Sequence, residues 1–321
     1  MITDDQARTF ADTFGRIVAN VEQAVMGKRT AVQLAVTCLL SEGHLLLEDV
    51  PGTGKTMLAK ALANTVQGNQ KRIQFTPDLL PSDVTGVTIY NQQTGVFDFH
   101  PGPIFATIVL ADEMNRASPK TQSALLEVME ESRVSVEGVG HPVGPPFMVI
   151  ATQNPIEQAG TYPLPEAQLD RFLMRTSLGY PDHETTVMLL ADSNNRNRAG
   201  AVRSIVTPKA VTDMAGIAAG VHTDPAILAY VSRLAEETRR NKSTRLGVSV
   251  RGCRALVRAA KSWAVAHGRT FVIPDDVKEL TLAVLAHRLL LTPEAQFGGV
   301  TAEQVIGEVL SIVPPPTERS A

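Results

Sequence analysis

The sequence predicts an α/β fold with a mostly parallel sheet covered on both faces, followed by a smaller all-helical domain. Three observations carry this. A short apolar run at residues 44–47 opens onto a glycine loop, and helical spacing returns from Met57 to Val66. Two further apolar runs, 107–111 and 147–151, alternate with helical stretches, the pattern of strands buried on both sides. Beyond Tyr180 and Pro181 the strand signals stop, and five helical segments follow.

In order along the chain, residues 6–23 place Ala7, Phe10, Phe14, Ile17 and Val21 at spacings of three and four, an amphipathic helix. A second helix spans 29–42 and stops at Gly43. Residues 72–75 read as a strand. Alternation at 87–90 and 96–99 around Gln92-Gln93-Thr94-Gly95 predicts an inserted β-hairpin, and 133–136 with 142–143 a second one. A helix covers 119–131. The later helices are expected at 182–195, 208–219, 225–240, 250–267 and 274–291. The predicted division is 1–180 for the α/β core, 181–313 for the helical domain and 314–321 for a frayed, proline-rich tail.

Composition narrows the class. The 321 residues suffice for two domains. Lys plus Arg is 30 against 33 Asp plus Glu, a net charge of −3, which argues against a nucleic-acid partner. Cys38 and Cys253 are the two cysteines and show no partner pattern, so neither a disulfide framework nor a cysteine zinc site is expected. The seven histidines have no metal spacing. The start, Met1 to Asp5, is acidic and lacks the character of a secretory leader, and no apolar run approaches 18 residues. A cytoplasmic chain without a transmembrane segment is expected.

The strongest motif is Pro51-Gly52-Thr53-Gly54-Lys55-Thr56-Met57 between strand and helix. Glycines let successive N–H groups converge on phosphate oxygens, and the helix dipole points to the same place. Lys55 would reach β- and γ-phosphates, and the Thr56 hydroxyl would ligate Mg²⁺. The usual pattern has glycine five residues before Gly54; Asp49 stands there. Asp112 and Glu113 end the apolar run at 107–111, at the sheet edge where such folds bind ligands. Asp112 would hold Mg²⁺, and Glu113 would polarise the water that attacks the γ-phosphate. Asn154 follows the next strand. Its amide could orient that water, or serve as the turn-former before Pro155.

Together these pieces resemble an AAA+ ATPase of the MoxR family. The resemblance rests on residues 47–56, on Ala111-Asp112-Glu113-Met114-Asn115-Arg116-Ala117, on Ala151-Thr152-Gln153-Asn154-Pro155 and on residues 160–172, and covers about 20–290. It implies a P-loop NTPase with a three-layer core, β-hairpin inserts and a helical lid. By the same resemblance Lys55 and Thr56 belong to Walker A, Asp112 and Glu113 to Walker B, and Asn154 to sensor 1. Arg171 matches the arginine finger, with Arg175 one turn on as the competitor. Arg251 matches the sensor 2 arginine, with Arg254 and Arg258 following it. Val25, Met26 and Gly27 match the adenine-lining segment. Implied too are ATP and Mg²⁺, a hexameric homo-oligomer, and protein clients matured with a von Willebrand A-type domain protein. A chelatase-type motor, a DNA-acting motor and a nucleotide-gated scaffold are the alternatives.

Overall fold

The computed structural model describes residues 2–154, 161–191 and 198–316. The first part of the chain forms α1 (Asp4–Glu22), α2 (Arg29–Leu40), β1 (Leu45–Glu48), α3 (Lys55–Thr65), β2 (Gln70–Gln74), α4 (Pro81–Thr85), β3 (Gly86–Asn91) and β4 (Val96–Pro101). Next come β5 (Ile108–Asp112), α5 (Pro119–Glu131), β6 (Arg133–Val136), β7 (Val139–Pro142), β8 (Met148–Gln153), α6 (Glu166–Leu169) and β9 (Met174–Thr176). The rest is α7 (His183–Ala191), α8 (Arg198–Ala201), α9 (Pro208–Ala219), α10 (Pro225–Arg240), β10 (Thr244–Leu246), α11 (Val250–Ala266), α12 (Pro274–Leu285), β11 (Leu290–Leu291), α13 (Pro293–Phe297) and α14 (Ala302–Ile312).

The chain packs as two compact units. One comprises residues 17–164 with 176–212, and the other 1–16, 165–175 and 213–321. The first unit is built on the sheet, in which β2, β5, β8 and β1 lie side by side in that order. The pairs β1–β8, β2–β5 and β5–β8 are parallel. Every residue of β5 is buried, as are five of the six in β8, which is why these strands read as unbroken apolar runs. Because the three pairs are in register, the C-terminal ends of β1, β5 and β8 form one row along the sheet edge.

Both hairpins form. In the first, β3 and β4 pair antiparallel from Gly86–Pro101 to Asn91–Val96, and Ile89, Tyr90, Val96 and Phe97 stay exposed. In the second, β6 pairs with 139–142 rather than with 142–143. The cause is a two-residue turn at Glu137 and Gly138, both at positive φ (50° and 82°), which fixes Val136 opposite Val139.

In the helical unit, the stretch expected as one helix over 274–291 ends at Leu285. A 3₁₀ turn, Ala286–Arg288, follows, and β11 then pairs with β10, so the unit is not purely helical. Side chains of that turn are committed to distant carbonyls, and those contacts override helical propensity. The helix α14 was not anticipated, although Thr301 and Gln304 form a capping box at its start. Trp263 is buried as expected. Residues 317–321 of the expected tail lie outside the described residues, as do 192–195 of the helix expected at 182–195. Among the described residues no helix is long and apolar enough to cross a membrane.

Candidate functional site

The loop between β1 and α3 is a backbone device. Gly52 and Gly54 sit at φ +85° and +99°, with open space where a Cβ would stand. Glycine is required there by conformation, not by crowding. Gly54 is the N-cap of α3 and has no side chain to cap it, the kind of helix start whose N–H groups suit an anion. Lys55 donates from Nζ to the carbonyls of Asp49 (3.1 Å) and Val50 (2.9 Å), which holds the ammonium over the loop. Pro51, Gly52 and Thr56 are exposed, Thr53 is buried, and Met57 is half-buried.

Asp49 explains its own departure from the usual glycine. Its carboxylate is buried and accepts N–H bonds from Leu178 (2.5 Å) and Gly179 (2.9 Å). The base of the loop is thereby tied to the segment following β9. Charge-assisted bonds of this kind are about twice as strong as neutral ones.

At the end of β5, Oδ2 of Asp112 accepts two bonds from Arg72 (3.1 and 2.6 Å), and Oδ1 accepts from Thr152 Oγ1 at 2.6 Å. A carboxylate offers about four acceptor positions, so Oδ1 keeps capacity for a cation or its water. With the exposed Thr56 hydroxyl, this donor set fits Mg²⁺. Glu113 stands in the left-handed region at φ +56°, a strained conformation for a residue with a side chain. Its N–H donates to Thr152 Oγ1 (2.9 Å). Its carboxylate accepts from Gln74 Nε2 (2.8 Å) and Arg116 (2.9 Å). Thr152 therefore sets both acidic residues with one hydroxyl.

Asn154 comes directly after β8. The β8 register pairs Gln153 with Glu48, and the Asp49 N–H donates to the Gln153 carbonyl at 3.2 Å. The sheet thus assembles the loop, Asp112, Glu113 and Asn154 along one edge. Val25, Met26 and Gly27 lie in the same unit, between α1 and α2. Gly27 has φ +70°, and a Cβ there would meet the Thr185 hydroxyl of α7 at 2.7 Å. Arg198 Nη1 lies 3.5 Å from the Met26 sulfur, and Lys28 donates to the Tyr180 carbonyl at 2.6 Å.

Arg171 and Arg251 belong to the other unit. Arg171 is half-buried in the turn after α6, and Arg251 is exposed in the first turn of α11. Arg175, the competitor, is paired with Glu303 of α14 at 2.7 Å. Sequence reasoning missed Arg72, Gln74, Thr152 and Arg288. For Thr152 the signal was a hydroxyl inside an otherwise apolar strand.

Residues 44–174 match the ATPase family associated with various cellular activities (AAA), and residues 236–309 match the AAA lid domain. The chain is 47% identical to an uncharacterized protein of Bacillus subtilis, YeaC, over 96% of each chain. It is 41% identical to the chaperone MoxR1 of Mycobacterium tuberculosis, over 94% of this chain and 82% of that one. The crystal structure of a putative ATPase from Cytophaga hutchinsonii matches with a TM-score of 0.90 at 36% identity, covering 98% of both chains. Loop, acidic strand end, fold and relatives agree: the chain belongs to the MoxR family of AAA ATPases.

Proposed function

We propose that this nucleotide-binding ATPase hydrolyses ATP as a ring, most simply a hexamer, to remodel or mature partner proteins. One observation carries the hydrolytic part: the loop, Asp112, Glu113 and Asn154 stand on the ends of adjacent parallel strands. In this reading Gly52, Gly54 and the first turn of α3 bind the phosphates. Pro51, Thr53 and Met57 shape that loop, and Val25, Met26 and Gly27 line the adenine. Lys55 leaves its two carbonyls for the β- and γ-phosphates. Thr56 and Asp112 hold Mg²⁺, which would neutralise charge on the triphosphate. Glu113 orients and deprotonates the attacking water, and Asn154 steadies it.

Arg171 is assigned as the finger that reaches the neighbouring subunit's nucleotide, and Arg251 as the lid arginine. Head-to-tail contacts that close give a ring, in which nucleotide sits at each junction. Functionally we divide the chain into an ATPase core, 1–180, and a helical lid, 181–313, with 314–321 as a tail. The name of the mycobacterial relative supports chaperone work on protein clients. A von Willebrand A-type domain protein as co-worker, cofactor or metal insertion as the outcome, and a cytoplasmic setting complete the reading.

Replacing Glu113 with Gln tests it. The variant should bind ATP normally and hydrolyse it about 10²–10⁴-fold more slowly, the usual contribution of a general base. It should also retain its clients during purification. Turnover at the wild-type rate would place the base elsewhere.

A further inference from the structure

Arg171 sits in a turn that other parts of its own unit hold in place. The turn bearing it begins with α6, and the Arg171 N–H donates to the Gln168 carbonyl at 3.2 Å. Both of its flanks are gripped by one buried cation from far along the chain. Arg288 donates from Nε to Asp170 Oδ1 (2.6 Å) and from Nη2 to the carbonyls of Asp170 (3.2 Å) and Phe172 (2.7 Å). Its Nη1 reaches the carbonyls of Leu173 (3.3 Å) and Val284, and lies 2.8 Å from His287 Nε2. That same ring nitrogen is 3.1 Å from the Phe172 carbonyl. The Arg288 side chain is only 3% exposed.

The surroundings are built to admit it. A Cβ on Gly252 would stand 2.9 Å from Arg288 Cδ, so the glycine in the first turn of α11 makes room for the stem. Ser249, the N-cap of α11, lies 3.5 Å from the second oxygen of Asp170. A planar fork can span carbonyls on both sides of residue 171, whereas an ammonium is a point charge. A buried cation held by one carboxylate and several carbonyls is costly to assemble for packing alone.

We propose that Arg288 is a positioning residue: it clamps residues 170, 172 and 173 so that Arg171 is presented in one orientation. The proposal rests on the reading of Arg171 as the finger. Arg288 touches no nucleotide; it acts through the backbone on either side of Arg171.

The test is Arg288→Lys in the full-length chain, with ATP turnover, nucleotide affinity and subunit mixing as readouts. The lysine keeps a cation beside Asp170 and loses the fork. Since a displacement of about 1 Å can cost about 10²-fold, kcat should fall about 10- to 10²-fold while ATP affinity stays within about twofold. Combined with Arg171→Ala, it should add nothing further, because both changes remove one function. Mixed with Lys55→Ala subunits, which carry an intact clamp, it should regain turnover. If Arg171→Ala is slow but Arg288→Lys runs at the wild-type rate, the clamp is refuted and the finger stands. If Arg171→Ala itself runs at the wild-type rate, the finger reading fails. A loss that adds to that of Arg171→Ala, or one that mixing does not relieve, also overturns the clamp. Should Arg288→Lys not melt cooperatively, Asp170→Asn takes its place. That change removes the charge that Arg288 Nε grips at residue 170: turnover that falls with ATP affinity kept and mixing that relieves it support the clamp, and turnover at the wild-type rate refutes the grip on residue 170.

Discussion

The phosphate loop and the Arg171 turn are both local bends that present one cation, yet they are built in opposite ways. The loop is made of backbone: two glycines at positive φ, an uncapped helix start, and a lysine resting on the carbonyls of Asp49 and Val50 in its own segment. The turn is made by a side chain, Arg288, from more than a hundred residues later. The difference teaches where each is fragile. A backbone device tolerates most side-chain changes nearby and fails when a glycine is lost. A buried ionic clamp fails when one partner is removed, because the other is left as an uncompensated buried charge.

The contrast is sharpened first where the effect is largest. Arg288→Met should lower the unfolding free energy by about 3–5 kcal/mol in denaturant melts, because it strips the donor from the half-buried Asp170 carboxylate and from the buried carbonyls of Phe172 and Leu173. A loss below about 1 kcal/mol would mean that the pair does not hold the turn. Gly54→Ala comes next. It meets no atom, so any penalty is conformational, about 1–3 kcal/mol for a side chain held at φ +99°. That penalty should emerge in stability, or as weakened nucleotide binding if the loop relaxes. A variant unchanged in both would show that the loop does not need this conformation.

The smallest effect concerns pH. His287 is fully buried, and burial, reinforced by the Arg288 charge, holds its imidazole well below the usual 6.5. The folded state therefore keeps it neutral while the unfolded chain takes up a proton below about 6.5. The stability it confers is complete above that value and lost on acidification, by up to about 1.4 kcal/mol per pH unit. His287→Gln should flatten the stability curve between pH 6.5 and 5 relative to the wild type (approximate bounds set by the reference imidazole value). Parallel curves would show that the ring is protonated in the native fold.

The same contrast governs what could be read in advance. The sheet strands were legible because burial on both faces demands apolar runs, and the loop because its glycines and Lys55 are contiguous. Asp49 was legible only as a departure; its acceptance of the Leu178 and Gly179 N–H bonds needed coordinates. Arg72 and Arg288 act across strands or across the chain, and nothing in their own neighbourhoods marks them; Thr152 is marked only as a hydroxyl inside an apolar strand. The end of α12 was misplaced for that reason. Helical spacing continues through 286–288, but His287 and Arg288 are drawn to the carbonyls of 172 and 173. The register of the second hairpin was decided by the conformations of Glu137 and Gly138 rather than by apolar alternation.

The central claim is that one subunit's loop and its neighbour's Arg171 serve the same triphosphate, and subunit mixing tests it most directly. Arg171→Ala alone should bind nucleotide and hydrolyse it about 10³–10⁵-fold more slowly, the usual contribution of a finger. Lys55→Ala alone should be inactive for want of bound nucleotide. Mixed, they should recover turnover, because the intact Arg171 of one meets the intact loop of the other. Mixtures no more active than the sum of the separate variants would contradict the account.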